Sequence, residues 1–211
     1  MRRQPRKLLP GSKLMVPLDA LRPTQITVGG YHVAQKVHVT RRVSPERRAA
    51  FLDRHRVHLV IGPEQALYVV DQHHWVRAWH DLGLTHVPGL VRADLSDMNV
   101  PAFWRQMVAE HMVHPYDEHG RRRPLTELPG GIHDMRDDPY RSLEAFVQLA
   151  GGYRKVKTAY MDFRWADYFR RHVAGPFDTT HHFAIALAQA FRLAHAAGAR
   201  GLPGYIGPLG C

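Results

Sequence analysis

The stretch Leu67-Tyr68-Val69-Val70-Asp71-Gln72-His73-His74-Trp75-Val76-Arg77 concentrates much of the chain's chemistry in one place. An apolar run delivers the backbone to a polar corner, and helix-forming residues follow at once. The first amides of a helix lack internal partners, and the helix dipole adds partial positive charge there. An anion at such a corner is stabilised by about 0.3–1 kcal/mol from the dipole alone. Gln72, His73 and His74 add side-chain donors, and Arg77 adds a charge one turn on. Asp71, like His73 and His74, is a candidate catalytic group, either as a base or as a metal-holding carboxylate. This is phosphate-site chemistry without the glycines of a P-loop. The same spacing also fits a plainer reading, an Asp71 N-cap followed by two satisfied histidines.

Three further clusters carry donors or acids. Thr24 and Gln25 follow Pro23 and could line a pocket, and Lys36 is a point charge suited to phosphate. An ordinary turn and a solvated lysine are the bland alternative. In Asp137-Asp138-Pro139-Tyr140-Arg141-Ser142, Asp138 and Pro139 read as a helix start, which leaves Arg141 and Ser142 as free donors for an anion. Asp162 lies in an aromatic amphipathic segment, with Trp165 and Ala166 at i+3 and i+4. It is a candidate base or metal ligand, or simply the partner of an arginine.

A metal reading of the histidines is weak. His73/His74 and His181/His182 are adjacent pairs that diverge on a helix, and no HExxH pair is present. The single cysteine, Cys211, precludes an internal disulfide and a four-cysteine module, so no structural zinc is expected. A divalent ion held by carboxylates, such as magnesium, remains compatible. No GxSxG elbow, Walker A loop, GxGxxG fingerprint or kinase signature occurs.

The elements that must position these groups follow from pattern. Leu14 to Leu18 begins the fold, and Leu21 to Gln25 reads as an extended turn, because the residue before proline avoids the helical region. Tyr31 to Thr40, with Val33, Val37 and Val39, reads as extended or irregular. Ser44-Pro45-Glu46 starts a helix to about Arg56. Leu59–Ile61, Leu67–Val70 and Val87–Val91 read as strands, with a helix from His73 to Leu82 stopped by Gly83. From Asn99 on, the pattern is helical. Helices start at Asn99, Asp138, Tyr160 and Thr179, with a polar loop from Tyr116 to Gly131. The division expected is a basic flexible leader (1–13), an α/β core (14–98), a helical extension packed on the core (99–198) and a tail (199–211), an α+β fold overall.

The 211 residues carry a formal net charge of +10, with 45% hydrophobic and 23% charged residues. That composition suits a packed domain and an anionic partner: a nucleotide, a phosphorylated small molecule or DNA. A basic start without a signal-type apolar run, no spanning segment and one cysteine point to the cytoplasm and to no membrane role.

The corner Tyr68-Val69-Val70-Asp71-Gln72-His73-His74 resembles the Asp-Gly-His-His signature of the ParB-like nuclease family. Three blocks agree with it in order: Pro23-Thr24-Gln25 with Val28-Gly29 and Lys36, Ala93 to Ser96 with Phe103-Trp104, and Asp138 to Leu143 with Gly151 to Tyr153 and Phe163 to Asp167. The resemblance covers roughly residues 14 to 172. It implies a small mixed-sheet ParB/sulfiredoxin-like core whose Gln72–Trp75 loop binds nucleotide phosphates. Three departures stand out. Gln72 replaces the usual glycine, Trp75 replaces a frequent arginine, and Asp162 replaces an expected glutamate. The sulfiredoxin cysteine is missing from the loop, which excludes that chemistry, and no helix-turn-helix module is evident. The expectation is a phosphate-handling enzyme (a nuclease, nucleotide hydrolase or small-molecule kinase); the alternative is a nucleotide- or DNA-binding module without turnover.

Overall fold

The computed structural model describes residues 7–209. Strand β1 (Lys13–Pro17) is followed by β2 (Leu21–Pro23) and the short β3 (Thr27–Val28). Helices α1 (Gly30–Arg41) and α2 (Pro45–Arg54) lead to β4 (Val57–Ile61) and β5 (Leu67–Asp71). Helix α3 (His73–Asp81) connects to β6 (His86–Asp94), and α4 (Val100–Ala109) follows. The C-terminal half contains β7 (Arg136–Asp137), α5 (Pro139–Leu149), α6 (Met161–His172) and α7 (Thr180–Ala194).

Five strands form one mixed sheet in the order β1-β6-β4-β5-β2. The pairs β1/β6 and β4/β5 are antiparallel, while β4/β6 and β2/β5 are parallel. Alternation along β4 sends Val57 and Leu59 to a core shared with Trp75, Val76 and Trp79 of α3. Val60 points to the opposite face, against Phe103 and Met107 of α4. A separate core joins α5, α6 and α7 through Leu143, Val147, Trp165, Phe169 and Phe183. This is the α+β arrangement expected from the sequence, with a mixed sheet first and helices after.

Three local expectations are corrected. Tyr31 to Thr40 is helix α1 rather than extended structure. Its three valines are poor helix formers, but packing against α3 and α5 overrides that weak preference. Leu21–Pro23 is an edge strand parallel to β5, not a turn, and its proline ends the strand, where no ladder donor is needed. Within the expected leader, Lys7 pairs with Asp97, the Leu8 amide donates to Asp94, and Gly11 donates to the Val91 carbonyl. Residues 1–6 of that leader, and Cys211, lie outside the described residues. Among the described residues no helix is long and apolar enough to cross a membrane.

Gly29 shows how tightly the two halves meet. It precedes α1, and a Cβ there would lie 2.5 Å from the Ser142 amide and 2.5 Å from Ser142 Oγ. Those atoms belong to the first turn of α5, so relief requires moving backbone. Gly29→Ala is expected to destabilise the fold by about 1–3 kcal/mol. Gly201→Ala, where a Cβ meets nothing within 4 Å, is expected to leave stability unchanged. Urea unfolding of both variants checks this; equal midpoints would contradict the close approach.

Candidate functional site

The β5–α3 corner forms the floor of a cleft between the sheet and the C-terminal helices. In the ladder, His58 pairs with Asp71 while Leu59 pairs with Val69, so Val70 is one extra residue on β5. Such a bulge re-aims the side chains beyond it. Asp71 then turns its Oδ1 to the Gln72 amide at 2.7 Å and its Oδ2 to His58 Nδ1 at 3.2 Å. Gln72, not Asp71, is the N-cap of α3. It adopts a left-handed conformation (φ 73°) that costs a residue with a Cβ about 1–2 kcal/mol. No side chain caps the helix, so its leading amides keep their donor capacity.

The two histidines do something the sequence did not suggest. The Thr24 amide donates to His73 Nε2 at 3.3 Å, and the Gly29 amide donates to His74 Nε2 at 3.0 Å. Both rings are therefore acceptors at these atoms, which requires neutral imidazoles. Burial, outweighing the nearby Asp71 charge, pushes His73 down to about 4. Burial, then the neighbouring His32, Arg141 and Lys36, holds His74 well below the ordinary histidine range.

The inner lobe of the cleft, about 310 Å³, brings together Gln25, Lys36, Gln72, His73, His74 and Arg141. Glu144, Lys155, Asp162 and Asp71 also line it. Lys36 sits with its ammonium 4.1 Å from the centre of the Trp75 ring, so the tryptophan supports a cation brought in by α1. Burial and the Lys155 charge lower Lys36 to about 8. Arg141 is buried, stacks 3.8 Å from the centre of Phe163, and reaches Glu144 at 3.4 Å. Burial, and then Asp162, raise Glu144 to about 8 against the pull of Arg141 and Tyr153. Tyr153 donates its hydroxyl to Glu144 Oε1 at 2.7 Å. At neutral pH Glu144 is thus mainly a neutral acid, and the buried guanidinium beside it is undercompensated. Gln25 Nε2, Arg141 Nε and Asp162 Oδ1 are buried without hydrogen-bond partners among the described residues.

Other candidates lie elsewhere. Arg77 faces away from the cleft, donating to the Met135 carbonyl at 2.8 Å and to Asp81 at 3.0 Å, because it leaves α3 on the opposite side from the corner. Ser142 is fully buried and accepts from the His32 amide at 3.2 Å, so it joins α1 to α5 and does not line the cleft. Thr24 donates its hydroxyl to the Val69 carbonyl at 2.7 Å and reaches only the adjoining lobe. Asp162 pairs with Lys155 at 3.1 Å. Glu144, His32 and Lys155 went unrecognised in the sequence. The i, i+3 spacing of Arg141 and Glu144 was the available signal. Among the described residues no group of three or more His, Cys, Asp or Glu is arranged to hold a metal.

The mixed sheet, the strand–corner–helix at Gln72 and the helical second half define a ParB-like α+β fold. Residues 14–171 match the family model described as "Putative ParB-like nuclease", and the chain belongs to that family. It is similar to a solved structure, protein Atu1540 from Agrobacterium tumefaciens, at 36% identity and a TM-score of 0.86. The match covers 96% of this chain and 100% of that one. No curated protein matches the sequence.

The buried titratable groups set the pH profile of stability. His32 and His114, both lowered to about 3, join His73 and His74 in staying neutral in the fold; burial is the main cause for each. Unfolded, these rings take up protons below their ordinary value of 6.5, so stability falls as pH drops from there towards 4. Glu144 works the other way. The fold holds its proton up to about 8 while the unfolded chain loses it near 4.5, so stability falls as pH rises across that window. Four histidines outweigh one glutamate below pH 6.5, so the expected maximum lies near that pH. Thermal melts from pH 4.5 to 8 check this, and Glu144→Gln is expected to flatten the alkaline side. A melting temperature independent of pH between 5 and 8 would contradict the burial of these groups in uncharged form.

Proposed function

We propose that the cleft binds a phosphate-bearing ligand and that the chain cleaves or transfers its phosphoryl group. The observation that carries this reading is Arg141, a buried guanidinium with an unpartnered Nε, in a lobe floored by the uncapped start of α3. A buried charge calls for a counter-charge, and Glu144, largely protonated at neutral pH, does not supply it. A phosphate does, with Lys36 and Lys155 converging on the same space.

Two of the lobe's three carboxyl groups, Glu144 and Asp162, favour chemistry over binding alone. Glu144 carries a proton at neutral pH and is suited to protonate a leaving oxygen. Asp162, with its buried Oδ1 unpartnered, is suited to orient or deprotonate an attacking water or hydroxyl. Magnesium fits this donor set where the ligand's own phosphates complete its shell, since the ion is commonly held by one or two carboxylates plus phosphates. Asp162 would be the protein's contribution, and the ion would neutralise charge on the transferred group. His73 and His74 act here as positioning residues, because their Nε2 atoms already accept from backbone.

The test is a thermal-shift and calorimetry panel of pyrophosphate, ATP, ADP, CTP, GTP and short DNA, each with and without magnesium, followed by turnover assays. A bound ligand at a hundred times its Kd adds about 2.7 kcal/mol of stability. Lys155→Gln and Lys36→Gln are expected to weaken binding by roughly tenfold each, the scale of one partly solvated charge-assisted contact. Asp162→Asn is expected to retain binding and lose turnover. Absence of a shift with every phosphate-bearing compound sinks the proposal. Stabilisation by DNA alone, lost at raised salt and without turnover, replaces it with a DNA-contacting module.

A further inference from the structure

The phosphate lobe does not end the cleft. It shares Gln25, Asp71, His73, Asp162 and Phe163 with a middle lobe of about 320 Å³. That lobe shares His111, Val113, His114, Tyr160 and Phe163 with an outer lobe of about 380 Å³. Along this path the lining gains aromatic rings: the outer lobe carries Tyr116, Tyr160 and Phe163 beside Arg122, Arg164 and Asp167.

The aromatic groups form an ordered column. Tyr116 stacks on His114 at 4.4 Å and 27°, and His114 stacks on Phe163 at 3.4 Å and 20°. The Arg141 guanidinium closes the column over Phe163. Tyr160 stands edge-on to His111 at 5.3 Å and donates its hydroxyl to the Val113 carbonyl at 2.7 Å. Both His111 (φ 55°) and Tyr160 (φ 56°) occupy the left-handed region, a strained choice for side-chain-bearing residues. Apolar Val108 and Pro115 also line the outer lobe, and Arg122, Arg164 and Asp167 give it hydrogen-bonding capacity.

We infer that the outer lobe is a ring-binding subsite that takes the planar base of a nucleotide whose phosphate occupies the inner lobe. The inference rests on the phosphate reading above and extends it to a substrate class. A base offers a π face for Tyr116, Tyr160 and His111 and a polar edge for Arg122, Arg164 and Asp167. Sugars and inorganic phosphates offer no such face. The lobes adjoin through shared lining residues, so a single ligand, whether a free nucleotide or a strand end, can reach from the phosphate lobe to the ring lobe.

Calorimetry with pyrophosphate, ribose 5-phosphate, a nucleoside, the matching nucleoside 5′-monophosphate and a short single-stranded oligonucleotide tests this. The monophosphate is expected to bind roughly 5- to 150-fold more tightly than ribose 5-phosphate, the range of one base–aromatic stack. Tyr116→Leu and the exposed His111→Ala are expected to remove most of that difference while pyrophosphate binds them as it binds the wild type. His111→Ala keeps the test valid should Tyr116→Leu fail to fold. Equal affinity for ribose 5-phosphate and the monophosphate overturns the ring subsite and leaves the phosphate reading standing. A nucleoside that binds while pyrophosphate does not overturns the phosphate reading instead. Binding of neither overturns both. Preference for the oligonucleotide over the monophosphate supports the subsite with a strand end as its source, and the reverse preference supports it with a free nucleotide.

Discussion

Two uncharged imidazoles hold the cleft in shape. His73 and His74 open α3, yet each points an acceptor nitrogen at a backbone amide from another segment, Thr24 after β2 and Gly29 before α1. An unpaired buried amide costs about 1–3 kcal/mol, so these contacts fix where two loops stand relative to the corner. The first of these loops carries Gln25, and α1, which starts directly after Gly29, carries His32 and Lys36. A cationic ring could not accept these bonds. The positive charges around it, Arg141 and Lys36, add to burial in keeping His74 neutral. The electrostatics that suit the cleft to an anion therefore also preserve the bonds that build it.

The departures at the corner are related. Gln72 stands in a conformation that suits glycine, and its side chain lines the lobe. Trp75 provides a ring over which Lys36 lies, and it packs with Phe51, His55 and Trp79. The cation thus reaches the cleft from α1, with the tryptophan beneath it. Lys36 is a compact point charge, where arginine would present a planar fork.

Much of this was readable from residue order alone. The β5–α3 corner, the helix starts at Asn99, Asp138 and Thr179, and the switch from strands to helices all follow from local signals, and Asn99, Asp138 and Thr179 each accept from a first-turn amide. Helix α1 was not readable, because valines at 33, 37 and 39 favour a strand until α3 and α5 pack against them. Missing α1 hid His32 and the side from which Lys36 approaches. Glu144 was hidden differently: an acid in an amphipathic helix ordinarily faces water, and it is the tertiary packing of α5, together with Tyr153, that encloses this one. Arg77 misled for a geometric reason, since its distance from the corner in sequence says nothing of which side of α3 it leaves.

The separate packing of the two halves has a mechanical consequence. One hydrophobic core surrounds the sheet with α1–α3, another joins α5–α7, and the cleft runs along the seam between them. Whatever settles there touches both blocks at once and acts as a staple across the join. Its binding free energy then adds to the contacts between α1 and α5 that already hold the blocks in register.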